Sequence, residues 1–465
     1  MPVHASARTA ICTIVSRNYF HSARTLMESM RDAQPDWERF VLIVDDPTLD
    51  IDPSREAMRL VSLSELDLPD ATKLLFRYNI LEANTAVKPW LLEWLFERHG
   101  FDRVLYLDPD IRAFSPFEEI VAAFDRGSSM VLTPHLTEPI HDAYRPTELD
   151  ILKTGAYNLG FIALARHPQI NRILSWWQSH LLYDCRIAKH EGIFVDQKWM
   201  EFAPSLFDDV CILRHPGYNI AYWNLMQREV RSSAGGYLVN GLPLRFFHFS
   251  GLNARDPRPL SKYQNRLRLK DVGEAADLIL DYCRDLERNG LDTFGKIPYA
   301  FGRFADGTPI NDCLRQFYRS RPGAAKALGE NPFECGVAYF NQPWDGGEPL
   351  LTRFLQAVWE TNGDARAAFP DPCGTSRTVF VRFFLDDYAI DARVPETFVK
   401  PIRESWESWN GPKPKRRRMG GIRRALHPLF KKLPTSMQEF TKRFLRRWFL
   451  VPPPAEPTGK RDFIS

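Results

Sequence analysis

One stretch constrains this chain more than any other: Val104-Leu105-Tyr106-Leu107-Asp108-Pro109-Asp110-Ile111. Arg103 to Leu107 has the length and apolar character of a buried strand, and it stops at two carboxylates one residue apart. Open α/β sheets place their ligands at the C-terminal edges of strands. Pro109 cannot continue a central strand and fixes its own φ, which stiffens the turn between the acids. Two hard oxygen ligands at such an edge suit Mg²⁺ or Mn²⁺ on a diphosphate, because these ions take one or two protein carboxylates and complete their shell with phosphate oxygens. The competing reading is a solvated Asp-Pro-Asp turn.

The residues before this stretch read as a parallel βαβ opening. Ala10 to Val15 is a strand that runs into Ser16-Arg17-Asn18-Tyr19. Ala23, Leu26, Met27 and Met30 then recur at helical spacing up to a break at Gln34-Pro35. Phe40 to Val44 is a second strand, ending in Asp45-Asp46-Pro47. Neither a G-x-G-x-x-G loop nor a G-K-[ST] loop is present, so phosphates are not held by a glycine cradle and a metal must do more of that work. Asn79 to Arg98 reads as helical, with Pro89 in a first turn or at a break, which leaves Lys88 near a helix start. An ordinary surface lysine is the alternative there.

Beyond the acidic turn, Met130 to Thr133 is a strand, and the polar, proline-broken segment Pro134 to Asp150 reads as a lid. Tyr157-Asn158-Leu159-Gly160 leads into the apolar strand Phe161–Leu164, the Asn and Gly being compatible with a tight turn. Asp196 and Gln197 follow a short apolar run, and His248 follows the strand Leu244–Phe247. A lone histidine after aromatics is either a satisfied core residue or a ligand.

Composition narrows the class. The chain has 465 residues, of which 44% are hydrophobic and 13% aromatic, enough for a large core and two or three domains. Seven scattered cysteines without a C-x-x-C pair point to reduced thiols in a cytosolic enzyme, and away from a disulfide framework or a zinc site. The N-terminus lacks signal-peptide character, and no apolar run is long enough to span a bilayer. The net charge of +3 conceals an asymmetry: residues 411–450 hold 13 Lys/Arg and one acid, so the first 410 residues are net acidic, at −9.

Taken in order, Cys12-Thr13-Ile14-Val15-Ser16 with Tyr19, Lys88, Asp108-x-Asp110, Asn158-x-Gly160, Asp196-Gln197 and His248-Phe-x-Gly251 resemble the GT-A nucleotide-sugar glycosyltransferases. The nearest resemblance is to the retaining family that includes glycogenin and bacterial lipopolysaccharide galactosyl- and glucosyltransferases. It implies a Rossmann-like mixed α/β sheet with helices on both faces. It further implies that Thr13, Val15, Ser16, Tyr19 and Asp45 line the base and ribose site. Asp108, Asp110 and His248 would hold Mn²⁺ or Mg²⁺. Lys88 would face the donor, Asn158 the sugar hydroxyls, with Gly160 and Gly251 shaping the donor site and Asp196 and Gln197 at the reacting face. The family often continues His-x-x-Gly with x-x-Lys-Pro-Trp, the lysine gripping the diphosphate; here Leu252-Asn253-Ala254-Arg255 follows, with Arg255 or Lys262 as substitutes.

Three regions are expected: a GT-A domain over 1–260, a mostly α-helical accessory region over 261–410, and a basic tail over 411–465. In the second region Leu314, Phe317, Tyr318, Ala324, Ala327, Leu328 and Tyr339 recur 41 residues later as Leu355, Val358, Trp359, Ala365, Ala368, Phe369 and Phe380, which reads as two copies of one helical unit. In the tail, Lys413 to Arg418 and the basic, aromatic run Phe440 to Leu450 suit an anionic membrane interface at the inner face. That reading is preferred over a nucleic-acid patch. The function implied is hexose transfer from a nucleotide-sugar donor, UDP-linked, to a glycan or lipid-linked acceptor with retention, in surface polysaccharide synthesis. The alternatives are an inactive sugar-nucleotide scaffold and a haloacid-dehalogenase-type phosphohydrolase.

Overall fold

The computed structural model describes residues 7–45, 52, 54 and 56–411. The expected basic tail beyond Gly411, and with it the expected membrane contact, lies outside the described residues. Seven strands form the central sheet: β1 (Thr9–Val15), β2 (Glu38–Ile43), β3 (Arg59–Ser62), β4 (Arg103–Leu107), β6 (Met130–Pro134), β7 (Tyr157–Ala165) and β8 (Val210–Ile212). Their order is β8-β6-β7-β4-β1-β2-β3, parallel except for β7, which runs antiparallel to both β4 and β6. Two shorter strands, β5 (Ile111–Ala113) and β9 (Phe246–His248), pair antiparallel beside it, with His248 opposite Ile111. This is the mixed α/β architecture expected.

The sheet is covered on both sides, which is why its strands read as unbroken apolar runs. Ala10, Cys12 and Ile14 of β1 and Val104 and Tyr106 of β4 enter one core; Ile11, Val15, Leu105 and Leu107 enter the other. Helix α1 (Phe20–Ala33) packs on the second face with Phe20 and with Ala23, Leu26, Met27 and Met30, the four residues whose spacing marked it. On the first face lie α2 (Ile80–Ala86), α3 (Lys88–Glu97) and α4 (Ile170–Asp184). The helical stretch expected over 79–98 is two helices: Pro89 has no N–H to donate and sits in the first turn of α3, one of its two expected places, so the run breaks at Val87. Asn158 and Gly160 lie inside β7, not in a turn before it.

The presumed lid is shorter than its sequence indicated. Thr147 caps a helix over Glu148–Thr154, accepting from the Asp150 N–H while the Asp150 carboxylate accepts from the Thr147 N–H. Arg266 then pins residues 142–146, bonding Asp142 and the carbonyls of Tyr144 and Pro146.

The helical region repeats as its sequence does. Helices Asp312–Ser320 and Pro322–Ala327 recur at the same offset as Arg353–Thr361 and Gly363–Ala368. Its apolar faces join the first core of the sheet. Phe76 packs edge-on against Tyr318 and Phe333, with ring centroids 5.0 and 5.2 Å away. Arg315 is buried and donates to the carbonyls of Leu75, Phe76 and Tyr78 at 2.7–2.8 Å, at the C-terminal end of the helix Ala71–Arg77. Among the described residues, no helix is long and apolar enough to cross a membrane.

Phe76→Ala would open a cavity between the sheet-covering helices and the helical region. It is expected to lower unfolding free energy by about 3–5 kcal/mol while both regions still unfold in one transition, followed by urea titration with circular dichroism and tryptophan fluorescence together.

Candidate active site

The acidic turn and His248 meet through strand pairing. The antiparallel β5–β9 ladder sets His248 opposite Ile111, and Phe249 N–H continues it to the Asp110 carbonyl at 2.8 Å. His248 Nε2 thereby lies 3.0 Å from Asp110 Oδ1 and 3.8 Å from Asp108 Oδ2. One ligand atom from each of the three falls within 4.8 Å of the others. Across the turn, the Asp108 N–H donates to the Gly160 carbonyl at 2.7 Å, so β7 clamps the acids from the other side.

A buried chain of amides sets the histidine tautomer. His248 Nδ1 is 3.1 Å from Asn158 Oδ1, while Asn158 Nδ2 donates to Gln197 Oε1 at 3.3 Å and to His135 Nε2 at 3.2 Å. His135 Nδ1 in turn faces the Ala156 carbonyl. The consistent assignment gives His248 a proton on Nδ1 and turns Nε2 toward the carboxylates, the orientation of a metal-binding imidazole. Gln197 is fixed by donating to the Thr154 carbonyl and accepting from the Leu159 N–H. Trp223 packs edge-on against His248 and His135.

Behind the acids lies a buried ion pair. Lys88, only 1% exposed, places Nζ 2.5 Å from Asp196 Oδ2, 2.8 Å from the Leu159 carbonyl and 4.0 Å from the Tyr106 ring centre. It is not a surface lysine. Tyr106 passes the connection forward by donating to Asp108 Oδ1 at 2.8 Å. Burial raises the pKa of Asp108 and of Asp196, with Lys88 pulling each back. Burial also works against the His248 imidazolium, but Asp110 and then Asp108 outweigh it and hold its pKa above the usual value.

The charge balance shows what fits here. Asp108, Asp110 and Asp196 are three carboxylates against one permanent cation, so even a protonated His248 leaves the cluster net negative. Two carboxylates and an imidazole with its Nε2 forward are a donor set suited to Mn²⁺ or Mg²⁺. Among the described residues this is the one such group. Gly160 leaves room for it: a Cβ there would lie 2.3 Å from His248 Cε1, 2.8 Å from Asn158 Oδ1 and 2.9 Å from Asp108 Oδ2.

The remaining expected residues divide. A cavity of about 260 Å³ opens beside Asp110, lined in part by Asn18, Tyr19, His21, Gly251 and Lys296. Tyr19 is 49% exposed. Gly251 has φ +71°, and a Cβ there would meet Ser261 and Tyr263. Thr13 and Val15 are not brought to this cavity; their side chains are buried within β1. Ser16 Oγ donates to Asn84, and Asp45 is buried, accepting from the N–H groups of Arg17 at 2.8 Å and Ala300 at 3.3 Å. Asp45 therefore ties the end of the first strand pair to the second half of the chain. His135, Trp223 and Lys296 were missed in the sequence. Only His135 left a signal there, by following the edge of a strand.

No family model matches the chain. It is similar to two proteins of Bacillus subtilis (strain 168). Uncharacterized protein YfnF is 27% identical over 249 residues, 52% of this chain and 81% of that protein. Uncharacterized protein YfnD is 24% identical over 300 residues, 63% of this chain and 93% of that protein. Solved structures similar to it include the galactosyltransferase LgtC in complex with donor and acceptor sugar analogs, at 14% identity and a TM-score of 0.34 over 59% of this chain and 95% of that one. Another is the glycosyltransferase GlyE of Streptococcus pneumoniae TIGR4, at 14% identity and a TM-score of 0.35 over 64% and 67%. A third is mouse xyloside xylosyltransferase 1, at 12% identity and a TM-score of 0.32 over 52% and 97%.

Gly160→Ala is expected to weaken Mn²⁺ binding by about 10–100-fold by pushing His248 off the acids, measured by calorimetric titration, with the far-ultraviolet circular dichroism unchanged. A second expectation concerns His21, whose pKa burial lowers to about 4, against a backbone hydrogen bond at Asn18 that raises it. The unfolded chain takes up this proton near the ordinary pKa of about 6.5. The stability held by neutral His21 is therefore complete above that value and is lost as pH falls toward 4. Between about pH 7.5 and 5, wild type should lose about 2 kcal/mol more than His21→Gln in urea unfolding.

Proposed function

We propose that this chain is a metal-dependent glycosyltransferase. In this reading it moves a hexose from a nucleotide-sugar donor, UDP-linked, to a glycan or lipid-linked acceptor with retention of configuration, in the synthesis of a surface polysaccharide or glycoconjugate. The observation that carries this reading is the Asp108–Asp110–His248 group at the C-terminal edge of β4, opening on a cavity of about 260 Å³.

Asp108, Asp110 and His248 would hold Mn²⁺ or Mg²⁺, which when bound supplies Lewis-acid stabilisation of the charge that grows on the departing diphosphate. The chain's own residues prepare that chemistry. Asn158 holds the His248 ring with its Nε2 forward, and Gln197 and His135 hold Asn158. Tyr19, at the cavity wall, offers an aromatic face for the nucleoside. The Lys88–Asp196 pair supports a fixed-charge role for Asp196 near the sugar: its Oδ2 is engaged by an ammonium inside the core, which makes it a poor attacking group. Front-face transfer, with Gln197 beside the reacting sugar, is the retaining route that this arrangement favours. From its sequence alone, the basic tail supports placement at an anionic membrane surface on the cytoplasmic side, where a lipid-linked acceptor would be met.

The test is thermal and chemical stability of the full chain against a panel of nucleotide sugars, with Mn²⁺ and with EDTA. A donor at about 100 times its Kd should stabilise the fold by about 2.7 kcal/mol in Mn²⁺ only. Asp110→Ala should abolish that stabilisation and lower donor turnover by about 100-fold or more. Absence of any donor effect in metal would overturn the reading.

A further inference from the structure

We infer that Lys296, from the second half of the chain, is the cation that grips the donor's diphosphate; this rests on the glycosyltransferase reading above. The cavity beside Asp110 is walled by Gly251 to Arg255 from the loop after His248 and by Leu291, Gly295 and Lys296 from the second half of the chain. A ligand that reaches a divalent ion at Asp110 and fills this cavity runs between those walls. At the Asp110 end it must offer oxygen donors to that ion, and phosphate oxygens are well suited to this. The diphosphate of a nucleotide sugar carries two negative charges and the departing nucleoside diphosphate gains a third, which one divalent ion does not neutralise, so a second positive group along its path stabilises it further.

Three cationic side-chain types line the cavity, and two are otherwise accounted for. His21 is buried and held neutral down to about pH 4. Arg255 is turned to Asp292, with which its guanidinium makes a close ion pair. Lys262, the other basic residue of this loop, lies with its ammonium 5.0 Å from the Tyr263 ring centre and is not among the cavity-lining residues. Lys296 lines the cavity, is exposed, and makes no ion pair with any described residue. Ala254 stands where the His-x-x-Gly-x-x-Lys pattern would carry its lysine, so the loop after His248 leaves the space open and brings no ammonium of its own.

The position of Lys296 is supported from behind. The Ile297 N–H bonds the Phe294 carbonyl, and the Ala300 N–H, four residues on, bonds the buried Asp45 carboxylate at 3.3 Å. Phe294 is buried against Phe20 of α1, with ring centroids 5.1 Å apart. The segment that carries Lys296 is thus anchored on both sides to the nucleotide-binding half of the sheet.

The experiment is isothermal titration of the full chain in Mn²⁺ with uridine, UDP and the other common nucleoside diphosphates, for wild type, Lys296→Ala, Lys296→Arg and Arg255→Ala. Lys296→Ala is expected to weaken nucleoside-diphosphate binding by about tenfold or more and to leave binding of the nucleoside itself unchanged. Lys296→Arg should restore affinity to within about threefold, and Arg255→Ala should stay within the same range, since its charge is engaged elsewhere. Melting temperatures of all variants should match wild type, because the side chain is exposed. Equal diphosphate affinity in wild type and Lys296→Ala overturns the inference while leaving the transferase reading intact. So does a loss confined to Arg255→Ala. A wild type that binds no nucleoside diphosphate in Mn²⁺ overturns both.

Discussion

Buried charge governs this molecule. Lys88 is an ammonium inside the protein, and such a group persists only when a counter-charge and acceptors reach it. Asp196 supplies the charge, and the Leu159 carbonyl and the Tyr106 ring complete the enclosure. That one pair draws together α3, β4, β7 and the loop before Gln197. Tyr106 near the end of β4 donates to Asp108, the first residue past the strand, and so the acidic turn begins at the edge of this enclosure. The two carboxylates of the turn are offset only in part, Asp108 by Lys88 and His248 and Asp110 by His248, so the edge of the sheet is suited to a cation.

The second half of the chain completes the half that carries the central sheet. Its helices extend one core of the sheet, Arg315 satisfies carbonyls at a helix end near the sheet, and Ala300 bonds Asp45. A segment that looks like a connector in sequence therefore walls the cavity beside Asp110. The 41-residue repeat describes how this region is built, through two helices that recur at the same offset. It does not describe what the region contributes to the site.

The strands and main helices were legible because their signals are local. Thr9–Val15, Phe20–Ala33 and Arg103–Leu107 show apolar runs or helical spacing that need no distant partner to interpret. The break at Val87 followed from the covalent nature of Pro89. Misreadings arose where a residue's meaning depends on its neighbours in space. Asn158 and Gly160 look like a turn until β7 is seen pairing with β4 and β6. Gly160 is required by the His248 ring that would meet its Cβ, and not by an unusual backbone angle. His135, Trp223 and Lys296 carry no motif at all; they are recognised only by what surrounds them.

What the sequence by itself determined was the kind of scaffold and the identity of its acids: a parallel βαβ opening, an apolar strand ending in Asp-Pro-Asp, and an ordered series of polar residues without a glycine cradle. Those features follow from chain stiffness, apolar periodicity and covalent geometry, which act over a few residues. Only the tertiary structure decided which polar groups are neighbours. It set Lys88 on Asp196, placed His248 against Asp110 through a strand register, gave Asn158 to His248 and His135, and left Lys296 at the cavity wall with no ion partner among the described residues. The reason is that a pairing between charges or amides far apart in the chain is fixed by burial and by the register of strands, and neither is encoded at the position of any single residue.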